Sequence, residues 1–163
     1  MKGNAKVIAA LNEALHEELV AITQYFLHAE MCENWHYHKL GNFIKKQSID
    51  EMRHAEKIIE RILFLDGTPQ MSSALQLKIG QTVKDQLAGD LKLEIDAVAM
   101  YNKCIEIARA ASDNASRELF ELLLKDEEMH VDWLEAQIHQ IKEMGYERYL
   151  SQQVGEGAGE GGA

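Results

Sequence analysis

The pattern Glu-x-x-His occurs at corresponding places in the two halves of the chain, at residues 51–54 and 127–130. Residues three apart lie on one face of an α-helix, so each pattern places a carboxylate and an imidazole where both can reach one cation. The two copies are 76 residues apart. This spacing predicts two similar helical halves that together hold two metal ions.

Other features recur at the same offset. Glu18 corresponds to Glu94 and Tyr25 to Tyr101, and three apolar positions repeat as well: Leu11, Leu15 and Ile22 correspond to Leu87, Leu91 and Val98. One Glu from each of two helices, with Glu-x-x-His from each of the other two, is the ligand set of ferritin-like di-iron proteins. The pattern therefore predicts an all-α, ferritin-like four-helix bundle with the metal ligands Glu18, Glu51, His54, Glu94, Glu127 and His130.

Composition agrees with a helical, soluble chain of one domain. The 163 residues include one proline and are rich in Ala, Leu, Glu, Lys and Gln. A formal net charge of −10 argues against nucleic acid as a partner. The sequence contains neither a signal-peptide pattern nor a long uncharged apolar stretch, and Cys32 and Cys104 lack the short spacing of a disulfide or zinc motif. We expect a cytoplasmic protein without a membrane segment.

The apolar periodicity predicts four long helices, over about residues 4–34, 40–65, 82–111 and 115–144, with Asn4 as the first N-cap and Gly145 as the last C-cap. Residues 66–81 lack periodicity and contain the only proline, so they are expected to cross the bundle and make helices two and three parallel. Residues 146–154 are expected to add a short fifth helix. We assign residues 1–154 to the ferritin-like di-iron domain and residues 155–163 to a flexible Gly/Glu-rich tail.

The inward stripe of each helix is apolar at both ends and carries its ligands at the centre. Glu51 and Glu127 are expected to bridge two metal ions, while Glu18 with His54 and Glu94 with His130 complete the two ends. Oxygen and nitrogen ligands without thiolates suit iron or manganese. Met144 is expected to end the stripe of the fourth helix. Glu17 points about 100° away from Glu18 and is expected to be solvated.

Some of these residues also have a simpler interpretation. A single Glu-x-x-His is usually a solvated pair, and it is the repetition on core stripes that favours ligands. Tyr25 and Tyr101 are either core tyrosines or groups that hydrogen-bond to the ligating carboxylates or donate electrons. Met52 lies off the core stripe, and periodicity alone favours a methionine packed in an interface.

The chain resembles a bacterioferritin over about residues 1–153. The resemblance depends on the segments 24–28, 48–56, 60–65, 90–94 and 132–135 and on Met-Lys-Gly at the start. It implies a hollow shell of twenty-four identical or related subunits that stores ferric mineral. It also implies a ferroxidase that binds two iron ions per subunit at the six ligands and uses O2 or hydrogen peroxide as the oxidant.

The same resemblance implies a haem b shared by two subunits, with Met52 from each as the axial ligand. Leu19, Phe26, Ile49 and Met71 are then candidates for its apolar pocket, and a small ferredoxin-type reductant would supply electrons for iron release. Some relatives carry a His at the inner-surface position of Lys46, although Asp50 is kept. The sequence therefore does not decide whether an additional iron site exists there. The Gly/Glu tail also departs from the family pattern.

Two other functions remain open at this stage. One is a di-iron or dimanganese redox enzyme, such as a peroxidase, that acts without iron storage. The other is a helical assembly protein with a degenerate site, against which the complete set of six ligands argues.

Overall fold

The computed structural model describes residues 1–155, which form five α-helices. These are α1 (Ala5–Asn34), α2 (His38–Phe64), α3 (Val83–Ala110), α4 (Asn114–Met144) and α5 (Tyr146–Ser151). No β-strand occurs within residues 1–155. The predicted all-α bundle, with its long crossover and short fifth helix, is confirmed. Residues 156–163, which make up most of the predicted tail, lie outside the described residues.

Side chains cap three of the four long helices. Asn4 accepts a hydrogen bond from the N–H of Lys6, and Thr82 and Asp113 cap α3 and α4 in the same way. Helix α2 begins at His38, two residues before the predicted start, and Tyr37 makes no side-chain cap. The sequence therefore carries no capping signal there, and the first buried residue of α2 is Leu40.

The contacts between helices determine the topology. Ser48 of α2 donates to the carbonyl of Ile22 in α1, and the N–H of Gly3 donates to the carbonyl at the end of α2, so these helices are antiparallel. Helices α1 and α3 are also antiparallel, because Glu18 contacts Tyr101 while Tyr25 contacts Glu94. It follows that α2 and α3 run parallel and that the chain between them crosses the length of the bundle.

Buried polar groups attach the crossover to the bundle. The amide of Gln24 and the ring of His28 both contact Asp90, at 2.8 and 3.0 Å. Nε2 of His28 also accepts the N–H of Gly80 at 3.0 Å. A side chain at Gly80 would place its Cβ 2.3 Å from the backbone nitrogen of Gln86, so only glycine permits this close approach. The crossover is therefore held against α1 and α3.

Two apolar clusters occupy the two ends of the bundle. One contains Leu11, Leu15, Ile58, Ile62, Phe120 and Leu123. The other contains Tyr25, Ala29, Leu40, Ile44, Leu87, Leu134 and Tyr149. The predicted position of Met144 in the core is wrong, because its side chain is 37% exposed. Helix α4 ends there, and Tyr149 of α5 is buried in the second cluster and donates to Gln137 at 2.9 Å.

Among the described helices, none combines the length and the hydrophobicity that a bilayer-spanning helix requires.

Candidate metal centre

Each long helix contributes to one polar layer between the two apolar clusters. Helices α1 and α3 each supply a glutamate, and α2 and α4 each supply a glutamate and a histidine one turn apart: Glu18, Glu94, Glu51 with His54, and Glu127 with His130. All six side chains are buried. The structure thus brings together every residue that the sequence predicts to bind metal, and their role as ligands stays a prediction.

The six side chains divide into two overlapping groups. Within each group, one potential ligand atom per residue lies within 4.8 Å of all the others; the groups are Glu18, Glu51, His54 and Glu127, and Glu51, Glu94, Glu127 and His130. Only Glu51 and Glu127 belong to both groups. They therefore occupy the positions that bridging carboxylates take in a two-metal site.

The two imidazoles face the carboxylates in similar ways. Nδ1 of His54 lies 2.8 Å from Glu51, 3.3 Å from Glu127 and 3.6 Å from Glu18. Nδ1 of His130 lies 2.9 Å from Glu51, 3.1 Å from Glu127 and 3.4 Å from Glu94. The centroids of the two rings are 6.2 Å apart. Each half of the site therefore presents one nitrogen and three carboxylates to a common point.

Several of these atoms are buried without a hydrogen bond. They are both carboxylate oxygens of Glu51, Oε2 of Glu127 and the Nδ1 atoms of His54 and His130. The distances above are short enough for ion pairs, yet the angles fail the requirements of a hydrogen bond. Lone pairs that converge on one point in this way satisfy a cation and not each other. The residues present therefore fit a pair of metal ions, and the mixed oxygen and nitrogen donors suit iron or manganese.

Without a cation, protons neutralise this layer. Burial raises the pKa of Glu18 well above its usual value and that of Glu94 to about 8. Burial acts against the charged form of Glu51 too, but His130 and His54 lower its pKa to about 2. Burial likewise opposes the charged imidazoles, yet the carboxylates raise the pKa of His54 and bring that of His130 to about 12. Protonated imidazoles thus stand where metal ions would supply positive charge.

Glu18 and Glu94, at the two ends of the polar layer, each accept a hydrogen bond from a tyrosine of the other half of the chain. The hydroxyl of Tyr25 donates to Oε1 of Glu94, and that of Tyr101 donates to Oε1 of Glu18. Burial, followed by the nearby carboxylates, raises the pKa of both tyrosines, so both remain protonated donors. These contacts orient the carboxylates toward the metal layer.

Sequence reasoning missed Asp126. Its Oδ2 lies 3.2 Å from Nε2 of His54, on the outer side of the ring. The 76-residue offset relates Asp126 to Asp50, which was singled out only through the family resemblance. The recurrence of an aspartate at this offset could have drawn attention to Asp126, but it did not indicate that the side chain would reach a histidine.

Glu17, predicted to be solvated, is only partly exposed. It lines a small cavity of about 10 Å³ beside Glu18 and Glu94 and also a surface cavity of about 270 Å³ between α1 and α3. Packing of α3 against α1, with Leu93 in both cavity walls, covers this flank of the helix. Glu17 therefore lies between the surface and the buried carboxylates.

Met52 lies on the surface, with 50% of its side chain exposed. Of the predicted haem-pocket residues, Phe26, Ile49 and Met71 are also exposed, and Leu19 is half-buried. These side chains are therefore accessible to another molecule. Their position agrees with an interface, and haem binding stays a prediction.

Comparison with known proteins gives consistent matches. The family described as Ferritin-like domain matches residues 8–144. A protein named Bacterioferritin from Brucella melitensis is 46% identical over 91% of this chain and 92% of its own. Proteins of the same name from Streptomyces coelicolor and Mycobacterium avium are 42% and 41% identical, over 93% and 94% of this chain and 90% and 97% of theirs.

Proposed function

This chain belongs to the bacterioferritin family, and from that premise we propose that it stores iron and oxidises Fe(II) at the six-residue centre. The observation that carries the proposal is the set of buried, convergent atoms without a hydrogen bond on Glu51, Glu127, His54 and His130. Such atoms are costly in a protein interior unless a cation binds them. Fe(II) is the substrate, and the oxidised iron passes on to a stored mineral.

The chemistry requires two electrons for each reaction with the oxidant. Two Fe(II) ions give one electron each, and these reduce one O2 with two protons to hydrogen peroxide, or one hydrogen peroxide with two protons to two water molecules. The side chains hold the ions side by side. Tyr25 and Tyr101 keep the carboxylates of Glu94 and Glu18 in place, and Glu17 lines both the small cavity beside them and a surface cavity.

The wider assembly follows from the same premise. We propose a cytoplasmic shell of twenty-four identical or related subunits, in which Met52 from each of two subunits would hold a shared haem b. A small ferredoxin-type reductant would pass electrons through the haem to the mineral when iron is released. The exposed apolar side chains around Met52 support an interface at this place.

Iron loading of the purified shell tests the proposed function. Under anaerobic conditions we expect two Fe(II) to bind per chain. On addition of O2 or hydrogen peroxide these are oxidised rapidly, and further Fe(II) then accumulates as ferric mineral inside a particle of unchanged outer size, as measured by chromatography with iron analysis. Rapid oxidation of two ions without retention of more iron would instead indicate the redox enzyme without storage. Absence of Fe(II) binding would contradict both functions.

Replacement of Met52 by Leu tests the haem ligand. We expect the variant to lose the haem absorbance of the reconstituted shell, because leucine offers no thioether to the haem iron. Fe(II) oxidation should be unchanged, since Met52 is exposed and lies outside the buried layer. Visible spectroscopy and stopped-flow oxidation are the measurements. Met129→Leu, another exposed methionine, is the matched control, and an unaltered spectrum in Met52→Leu would exclude Met52 as the ligand.

A further inference from the structure

A cavity on the α2 and α4 side of the metal centre contains the outer partners of the two histidines. It has a volume of about 310 Å³ and is lined by Asp50, Arg53, His54, Lys57, Asp126, Met129 and His130. Nδ1 of each imidazole faces the carboxylates. Nε2, on the opposite side of the ring, is the atom left for a partner outside the metal layer.

His54 has such a partner. Its Nε2 lies 3.2 Å from Oδ2 of Asp126, whose side chain is 29% exposed. A proton on Nε2 that is donated to this carboxylate leaves the lone pair of Nδ1 free for a metal ion. The contact also fixes the rotation of the ring, as the outer carboxylates of metal-binding histidines generally do.

His130 lacks the equivalent contact. The repeat relates Asp50 to Asp126, and Asp50 lines the same cavity as His130. However, Oδ1 of Asp50 accepts a hydrogen bond from Nη1 of Arg53 at 2.9 Å. Within residues 1–155, no side chain accepts a hydrogen bond from Nε2 of His130, and its side chain is 10% exposed against 4% for His54.

Arg53 is the residue that breaks the symmetry of the two halves. The position that the repeat relates to it holds Met129, which has no charge with which to bind Asp126. Asp126 is therefore free to contact His54, whereas Asp50 is engaged by the arginine three residues along its own helix.

We propose that the two metal positions are inequivalent because Asp126 positions His54 while Arg53 withholds Asp50 from His130. The ion held by Glu94 and His130 is then the weaker and more exchangeable one, although both histidines line the cavity. Asp126, Asp50 and Arg53 are positioning residues, since none of them belongs to the two groups of potential ligands. The inference rests on the proposed function, because it requires the six-residue centre to bind two ions.

The expected effects are moderate. Loss of an outer carboxylate typically lowers metal affinity by about 10- to 100-fold. The Arg53 to Asp50 pair is partly exposed, with 65% and 28% of the side chains accessible. Such a pair is weak, so its removal should raise the affinity of the weaker position by no more than about fivefold.

Binding of Co(II) to the intact, metal-free shell tests the inference without any oxidation. Calorimetry and the visible absorbance of Co(II) report affinity and coordination. We expect two ions per chain, bound in two steps whose dissociation constants differ by about tenfold or more. Repulsion between the two ions also makes the second ion bind more weakly than the first. Variants of Asp126, Arg53 and Asp50 therefore decide whether these residues cause the difference in affinity.

Asp126→Ala should weaken the tighter step by about tenfold or more and change its absorbance. Asp126→Asn should restore most of the affinity, because the amide oxygen accepts the same hydrogen bond. Arg53→Met, which copies the residue at position 129, should tighten the weaker step by up to about fivefold. That gain should vanish in the double variant Arg53→Met with Asp50→Ala.

Three results would overturn the inference. One is equal affinity at both positions with no effect of Asp126→Ala. Another is a gain in Arg53→Met that persists without Asp50, since removal of a positive charge would then explain it. The third is a third Co(II) ion in Arg53→Met, which would show that Asp50 binds a cation itself. If the unaltered shell binds no Co(II), the metal centre of the proposed function fails as well, whereas two equal ions contradict the inference alone.

Discussion

Fe(II) oxidation should fall by at least about 100-fold when either Glu18 or His130 is replaced by alanine, because each change removes a ligand from one end of the buried layer. The helices should still assemble, since the apolar clusters above and below the layer are unchanged. Stopped-flow oxidation of Fe(II) by the purified shell measures the rate, and chromatography measures the assembly.

Matched controls separate loss of a ligand from a general effect of the substitution. Glu128→Ala and His139→Ala alter exposed residues of α4, and both should oxidise Fe(II) at the original rate. Thermal unfolding adds a second measurement. Metal ions should stabilise the unaltered chain and the controls but stabilise Glu18→Ala and His130→Ala far less, because only bound ligand shifts the unfolding equilibrium. An assembled ligand variant that oxidises Fe(II) at the original rate would refute the centre.

Metal binding should release protons and tighten steeply as pH rises. At neutral pH in the metal-free chain, Glu94 is protonated, with a pKa of about 8, and the imidazoles of His54 and His130 are charged. A metal ion needs the deprotonated form of each ligand. The binding of two ions therefore displaces at least three protons, and Glu18, whose pKa burial also raises, acts in the same direction.

The sign and the range of this effect follow from the pKa values. Below about pH 8 each displaced proton lowers the combined affinity about tenfold per unit fall in pH. Above about pH 8 Glu94 has already ionised, so binding displaces one proton fewer and the affinity depends less steeply on pH. The two histidines still release their protons when metal binds. Calorimetric titration with Mn(II) in two buffers of different ionisation enthalpy counts the protons directly. Affinity that does not change between about pH 6 and pH 8 would contradict the protonation pattern.

Local patterns in the sequence were sufficient for most of the fold and for the composition of the site. A spacing of three or four residues determines which side chains share a helix face, so the core stripes and the two Glu-x-x-His pairs were readable without coordinates. Repetition at 76 residues then related Glu18 to Glu94. The crossover was visible because periodicity fails over residues 66–81 and the only proline lies there.

The errors occurred where helix ends or neighbouring helices decide the outcome. Met144 has the right spacing for the core, but α4 ends beside it and Tyr149 of α5 is buried in that end layer. Glu17 lies off the core stripe as predicted, but the packing of α3 on α1 decides how much of it water reaches. Periodicity describes one helix in isolation and contains no information about where a neighbour ends or how closely it approaches.

By itself, the sequence determined an all-helical bundle in two related halves, with four carboxylates and two imidazoles on its inward faces, because helical periodicity is a local property of the chain. Only the tertiary structure decided that Tyr25 contacts Glu94 in the other half, that Asp126 contacts His54, and that Arg53 engages Asp50. Most of these contacts join residues far apart in the chain, and all depend on helix rotation and side-chain rotamer, which differ between two halves that a repeat makes look alike.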